Sequence, residues 1–393
     1  MINKIKIILL SNKFVYKTNA LIKARSLKRQ LNFLDKKYNN TYYSNLSNQL
    51  FAKKISFISK LMKKKDTQRL NILWIGVIQS QDESGILPAL RRVFKVTEFN
   101  NYYGKYGLEI HPKKDESETL MRKRNDIMLL EILKANNYDL ILGQFWHYAL
   151  SSLSLNYAKI QKIPVINISM DDKLGDLWFP KNGITRGSVG LMECVDLTLT
   201  TSPEAVNFFA GHNMASTFFP LASSPDIFYN KTTNNRAIDI LFIGNKYGIR
   251  GEIIKKLQIS GLDVVCFGKG WGTKYLDTQG MASVSKSAKI IIGVGTVGYS
   301  KDVFTLKLRD FDSVMSGALY ITHRNPTLDE LFGEGVGIEC YGDIDELKNK
   351  ISYYLTHNKK RLKIAKLGQE IAVRRHTWDI RIQYLIKDIL QIG

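Results

Sequence analysis

Short apolar runs alternate with helix-periodic stretches from residue 69 onward, and the alternation stops once and then restarts. RLNILWIGV (69–77), KVTEF (95–99), DLILGQF (139–145), PVINISMDD (164–172) and DLTLTT (196–201) read as strands. Between them, GILPALRRVF (85–94), ETLMRKRNDIMLLEILKANN (118–137), LSLNYAKIQ (153–161) and a segment near 186–194 read as helices. Strands this continuously apolar are buried on both faces, which a parallel sheet covered by crossover helices provides. Ligands of such a sheet bind outside the carboxyl ends of its strands. After ASSPDIFYNKTTNNRA (222–237), whose residues 225–237 read as a linker, the rhythm resumes with IDILFIG (238–244), EIIKKLQ (252–258), DVVCFG (263–268) and KIIIGVG (289–295). The fold class expected is α/β, with two Rossmann-like domains in series. A chain of 393 residues is also too long for one comfortable core, and domains of roughly 150 residues are the usual solution.

The three cysteines, Cys194, Cys266 and Cys340, lie far apart and show no metal-ligand spacing, which excludes a disulfide framework or a zinc site of ordinary pattern. No apolar run is long enough to span a bilayer, and the opening IKIILL is too short for a signal-peptide core, so a cytoplasmic protein is expected. The net charge of +21 is unevenly placed: residues 1–69 hold 17 Lys or Arg against Asp35 and Asp66. Within this basic extension, NQLFAKKISFISKLMKKK (48–65) sets Phe51, Ile55, Ile58 and Met62 at helical spacing, with Lys53, Lys54, Lys60, Lys63 and Lys64 mostly elsewhere. Such a helix can lie on an anionic membrane surface, or pack on the next domain with a solvated lysine face. Nucleic acid is the least expected partner, because no helix-turn-helix, zinc finger or aromatic stacking motif is present.

Three Gly-rich loops follow three successive strands of the second half. In NKYGIRGEIIKK, Gly244, Gly248 and Gly251 allow close backbone approach, a helix starting near Gly251 offers free amides, and Lys246 and Arg250 add charge, which together suit a diphosphate. FGKGWG (267–272), containing Gly268, and GVGTVGYSKD (293–302), containing Gly295, end the next two strands. Glycines after strands are also ordinary turns, so the convergence carries more weight than any one loop.

The region from about 238 to 391 resembles the donor-binding domain of the GT-B glycosyltransferases, especially the spore-maturation-type (CgeB-like) branch of the group 1 families. The likeness rests on FIGNKYGIRGEII, CFGKGWG, KLRDFDSVMSGALYIT (307–322), NPTLDELF (325–332) and HTWDIRIQYLI (376–386). Residues 70–224 resemble the companion acceptor domain less sharply, through DLTLTTSPEAVNFFAGH and FFPLASSPDIF. The basic, mainly helical extension over 1–69 lies outside the resemblance, which implies an acceptor domain over 70–224, a nucleotide-sugar domain over 238–375, and a last helix over 376–393 that crosses back to the first domain, the two domains facing across a cleft.

It also implies roles. Asp312, five positions before Gly317, matches the acid that binds the donor ribose, and Arg309 matches a basic residue that faces the diphosphate. Retaining relatives often carry a Glu eight residues before that acid; Phe304 stands there instead. Asp310 is expected to be solvated. Arg309, Lys246 and Arg250 would stabilise the leaving diphosphate, so no cofactor and no metal are expected. An acceptor-activating base is expected at strand ends of the first domain, where Asp171, Asp172 and His147 qualify by position. Each has a plain alternative: the Asp pair can cap the next segment, and His147 can be a satisfied ring beside Trp146 and Tyr148. The activity implied is transfer of a sugar from a nucleotide sugar to an acceptor hydroxyl, with a lipid-linked or cell-surface glycan precursor as the acceptor that the basic extension suggests. A nucleotide-sugar 2-epimerase and a non-catalytic binding subunit are the alternatives, and peripheral attachment to the cytoplasmic membrane follows only if the basic extension binds lipid.

Overall fold

The computed structural model describes residues 13–62, 70–101, 103–174, 177–180, 183–231 and 236–392. They form two compact units, one of Asp35–Ile227 with Ala372–Gly393, the other of Phe228–Ile371 with the segment ending at Leu34.

The first unit is built on β1 (Asn71–Ile75), β2 (Lys95–Glu98), β3 (Leu140–Gly143), β4 (Val165–Ser169), β5 (Leu197–Thr200) and β6 (Ser216–Phe218). Their spatial order is β2-β1-β3-β4-β5-β6 and every pairing is parallel. Every residue of β3, β4 and β5 is buried, as expected of strands covered on both faces. Helix Glu118–Ala135 starts where Ser117 Oγ accepts the amide of Leu120 at 3.2 Å, a side-chain cap that supplies one of the helix's missing acceptors. The helix expected near 186–194 is a single 3-10 turn, Ser188–Leu191. The backbone there is pressed too closely for helix continuation: a Cβ on Gly187 would meet Leu177 O at 2.4 Å, and one on Gly190 would meet His147 Nδ1 at 2.3 Å.

The second unit holds β7 (Ile238–Ile243), β8 (Val264–Phe267), β9 (Ala288–Ile292), β10 (Leu319–His323) and β11 (Glu339–Tyr341), in the order β11-β10-β9-β7-β8, again all parallel. Ile240, Phe242, Ile290, Ile292, Leu319 and Ile321 from the strands meet Ile253 and Leu257 from helix Arg250–Ile259 in its core. Helix Thr278–Ser287, which the apolar pattern does not announce, is started by Asp277, whose Oδ1 accepts the amide of Gly280 at 2.8 Å.

The basic extension is helical over Lys13–Tyr38 and Thr41–Met62. In the second helix Ile55, Ile58 and Met62 are buried, packed in the first unit against helix Ala205–Ala210, β6 and the π-helical turn Leu385–Leu390. The stripe that could have lain on a membrane is therefore consumed by packing, while Lys53 and Lys60 stay exposed and Lys54 pairs with Asp196 at 2.9 Å. Lys63 and Lys64 lie outside the described residues. The first helix is tied to the second unit by the ion pairs Lys17–Glu252, at 2.7 Å, and Lys28–Asp302. Among the described residues no helix is long and apolar enough to cross a membrane.

Candidate functional site

At the carboxyl ends of β7, β8 and β9 the three Gly-rich loops touch. Gly244 has φ +145° and Gly268 φ +130°, and a Cβ on Gly268 would meet Gly244 O at 2.5 Å. Only glycine fits such an approach of two backbones. The amide of Gly244 donates to Phe267 O at 2.8 Å, Trp271 Nε1 donates to Gly244 O at 2.7 Å, and the amide of Ile249 donates to Gly298 O at 3.2 Å, so each loop fixes its neighbour.

Two guanidinium groups occupy the space beneath. A Cβ on Gly244 would meet Arg309 Nη1 at 2.5 Å and Arg250 Nη1 at 3.4 Å. Arg309 donates from Nη1 to Ile243 O at 2.6 Å and from Nη2 to Val294 O at 3.1 Å. Arg250, on the first turn of its helix and 6% exposed, donates to Asn245 O at 3.1 Å and stacks its guanidinium 4.1 Å from the Tyr247 ring centre. Burial, and then the neighbouring charge of Arg309, pushes Arg250 down to about 10. Arg250 remains a cation at neutral pH, and both guanidinium groups are held by backbone carbonyls; among the described residues no carboxylate lies at ion-pair distance from either. Nε of each is buried without a partner. Two cations out of ion-pair contact with any described carboxylate, beside glycine backbone and a helix start, are suited to hold an anion.

Lys246 stands at the rim: it is exposed, with Nζ 5.0 Å from the Trp271 ring centre. It borders a cavity of about 860 Å³ with Tyr247, Gly248, Lys255, Trp271 and Tyr299. Gly295 leaves open space, since a Cβ there would meet only Thr305 O, at 3.7 Å. Asp312 is half-buried on helix Leu308–Met315, the helix that carries Arg309. Gly317 does not join this group. It precedes β10, at the amino ends of the strands, where φ +72° and contacts of an added Cβ with Gln369 Nε2 at 2.9 Å and Arg236 Nη2 at 3.0 Å make it a close-packed helix end.

Asp310, expected to be solvated, is fully buried. Its Oδ1 accepts the Tyr320 hydroxyl at 2.5 Å and its Oδ2 accepts the Lys307 amide at 2.8 Å, and burial raises its pKa. Asp310 thus belongs to a helix start, and among the described residues no three His, Cys, Asp or Glu side chains gather at metal-binding distance. The pattern missed this because position N3 of a helix and a solvated face look alike in a sequence.

In the first unit, Asp172 follows β4 and is 2% exposed. Its Oδ1 accepts Ser169 Oγ and its Oδ2 accepts Thr200 Oγ1, each at 2.6 Å, tying the ends of β4 and β5; burial pushes it up to about 7. Asp171 is half-buried with φ +61°. His147 Nδ1 lies 2.7 Å from Thr185 O and therefore carries the proton, leaving Nε2 3.5 Å from Arg122 Nη1. A further buried carboxylate, Asp82, was not legible from spacing: it accepts the Tyr106 hydroxyl at 2.5 Å and Trp74 Nε1 at 3.2 Å, and burial pushes it up to about 6.

Residues 250–387 match a family model described as Glycosyl transferase-like. No curated protein matches the chain by sequence. Among solved structures, Anabaena Alr3699/HepE in complex with UDP and glucose is similar over 80% of this chain and 98% of its own, at 12% identity and a TM-score of 0.57. Sucrose-phosphate synthase from Thermosynechococcus elongatus is similar over 80% and 97%, at 15% identity and TM-score 0.54. UDP-GlcNAc 2-epimerase from Neisseria meningitidis, bound to UDP-GlcNAc, is similar over 81% and 100%, at 10% identity and TM-score 0.52. With two parallel Rossmann-like sheets and a helical N-terminal region, the chain has the GT-B fold.

Proposed function

We propose that the protein is a metal-independent glycosyltransferase of hexosyl type, in the spore-maturation-like branch of group 1, which moves a sugar from a nucleotide sugar to an acceptor hydroxyl. The observation that carries this is the pair Arg250 and Arg309, held at the strand ends without a carboxylate under the Gly244 backbone. The match of residues 250–387 to a Glycosyl transferase-like family supports it, as do the UDP and glucose named with a similar structure. When the glycosyl bond breaks, charge builds on the leaving diphosphate, and fixed cations stabilise it without reorganisation. Arg309 and Arg250 take that role, with Lys246 at the rim; Asp312 binds the ribose. His147, Asp171 and Asp172 are the candidates for the base that takes the acceptor's proton. Asp172 already spends both oxygens on hydroxyl groups, which favours Asp171 or His147 for a role that needs solvent access.

The acceptor we propose is a glycan, lipid-linked or cell-surface, reached from the cytoplasm, with an anionic membrane surface as partner of residues 1–69 through their charge. A second reading is a nucleotide-sugar 2-epimerase, favoured by the likeness to the Neisseria enzyme; conversion of the donor sugar with no acceptor present would select it. A binding subunit without turnover is the third. The central test is a thermal-shift panel of nucleoside diphosphates and nucleotide sugars on the wild type, Arg309→Ala and Asp312→Ala. Arg309→Ala should lose stabilisation by every diphosphate, and Asp312→Ala should lose mainly the preference for ribose over deoxyribose. Unchanged shifts in both variants would refute these roles, and no shift with any nucleotide would refute the transferase and epimerase readings together.

A further inference from the structure

Polar atoms without hydrogen-bond partners crowd one end of the second sheet. Beside Arg250 Nε and Arg309 Nε are Thr296 Oγ1, Thr305 Oγ1 and His323 Nδ1, in residues that are 1%, 3% and 8% exposed. Native interiors keep few such atoms, because each has given up water and gained nothing in return. Their concentration marks a place where a ligand supplies the missing partners.

The atoms divide by charge along the loop Gly293–Thr296. On one side Val294 O holds both guanidinium groups, Arg309 at 3.1 Å and Arg250 at 3.5 Å. On the other, Thr296 forms an antiparallel bridge with Phe304, and the amide of Thr305 donates to Gly295 O at 3.1 Å. The Phe304 ring centre lies 6.0 Å from that of His323, which in turn lies 4.4 Å from Tyr341. Tyr341 closes the group by donating to Gly293 O at 2.9 Å. Burial pushes His323 down to about 4, so its imidazole is neutral at physiological pH. The nearest cation along the chain, Arg324, is engaged by Glu334 and Glu346.

We propose that Thr296, Thr305, His323 and Phe304 line the glycosyl subsite and restrict the donor to an uncharged hexose, excluding the corresponding hexuronate. The proposal rests on the donor-binding reading above and adds the sugar's charge to it. Two threonine hydroxyls and a neutral imidazole each donate or accept, as sugar hydroxyls do, and the Phe304 ring offers an apolar face to the sugar's C–H groups. A carboxylate on the ring would sit here among neutral groups, the two arginines being committed to the diphosphate and to Val294. The aromatic residue at position 304 then selects for a neutral ring and no longer marks a merely missing acid.

Calorimetric titration of the full chain with UDP, UDP-glucose and UDP-glucuronate, with GDP and GDP-mannose in parallel, tests this. The nucleotide hexose should bind at least about tenfold more tightly than UDP-glucuronate, the scale set by an unpaired buried charge. Thr305→Val, which is isosteric, and His323→Phe should each weaken hexose-nucleotide binding by roughly 3- to 10-fold and leave free UDP or GDP unchanged. Equal binding of glucose and glucuronate donors, or equal loss of UDP and UDP-glucose in the variants, would overturn the subsite while leaving donor binding standing. If no nucleoside diphosphate of any base binds, the donor reading fails and the subsite with it.

Discussion

Three neighbouring residues, Arg309, Asp310 and Asp312, show what one sequence can and cannot say about side chains. The resemblance implies that Arg309 faces a diphosphate, and the backbone carbonyls of Ile243 and Val294 hold its guanidinium at the carboxyl ends of the strands. Asp310, one residue on, is sealed under Tyr320, because a helix turns about 100° per residue and the next position faces the core. No spacing rule tells these apart when both faces carry charge. The same holds for Asp172, chosen for its place after a strand, whose burial only the fold reveals. Its pKa near 7, against an ordinary value of 3.8, gives a signed prediction. The folded form keeps a proton that the unfolded chain releases near pH 4, so this site's contribution to stability is full below about pH 4 and is lost as pH rises through 7. Asp172→Asn carries no ionisable group, and its stability relative to the wild type should therefore rise between pH 5 and pH 8 in urea melts. A constant difference across that range would show that Asp172 is ionised in the fold.

Elements were legible where apolar residues filled them and illegible where capping or backbone contact decided. β1 to β5 and β7 to β9 read directly, because parallel strands need apolar residues on both faces, whereas β6 and β11, three residues each, did not. Helix Thr278–Ser287 did not read, since TQGMASVSKS is small and polar and depends on the Asp277 cap. In the extension, the helical stripe Phe51, Ile55, Ile58 and Met62 was visible, but amphipathicity names a face and not its partner. The structure gives the partner as helix Ala205–Ala210, β6 and the final π-helical turn. Ile58 is fully buried and Phe57, its neighbour, is 44% exposed. Ile58→Ala should therefore cost about 2–5 kcal/mol, whereas Phe57→Ala should change stability by no more than about 0.5 kcal/mol. Chemical denaturation of both variants checks this, and similar losses would mean the helix is docked in another register.

At the scale of the whole molecule, two parallel sheets followed from a rhythm that stops and restarts, and the loops touching at the ends of β7, β8 and β9 followed from their glycines. What the rhythm could not convey is how the extension divides: the chain up to Leu34 groups with the second sheet, and Asp35 onward with the first. That division changes how its charge must be tested. Deleting residues 1–69 would strip Ile55, Ile58 and Met62 from the first unit and confound charge with unfolding. Exchanging only exposed cations, Lys23, Arg25, Arg29 and Lys53, for Glu leaves the packed face intact. The wild type should float with vesicles containing an anionic lipid and not with neutral ones, and should be released as salt shortens the range of the attraction, to a Debye length of about 8 Å at physiological ionic strength. The four-residue variant should stay at the bottom of the gradient with an unchanged melting temperature. If the wild type does not float with either vesicle, or the variant floats equally well, the surplus charge of the extension has no part in holding the protein at a membrane.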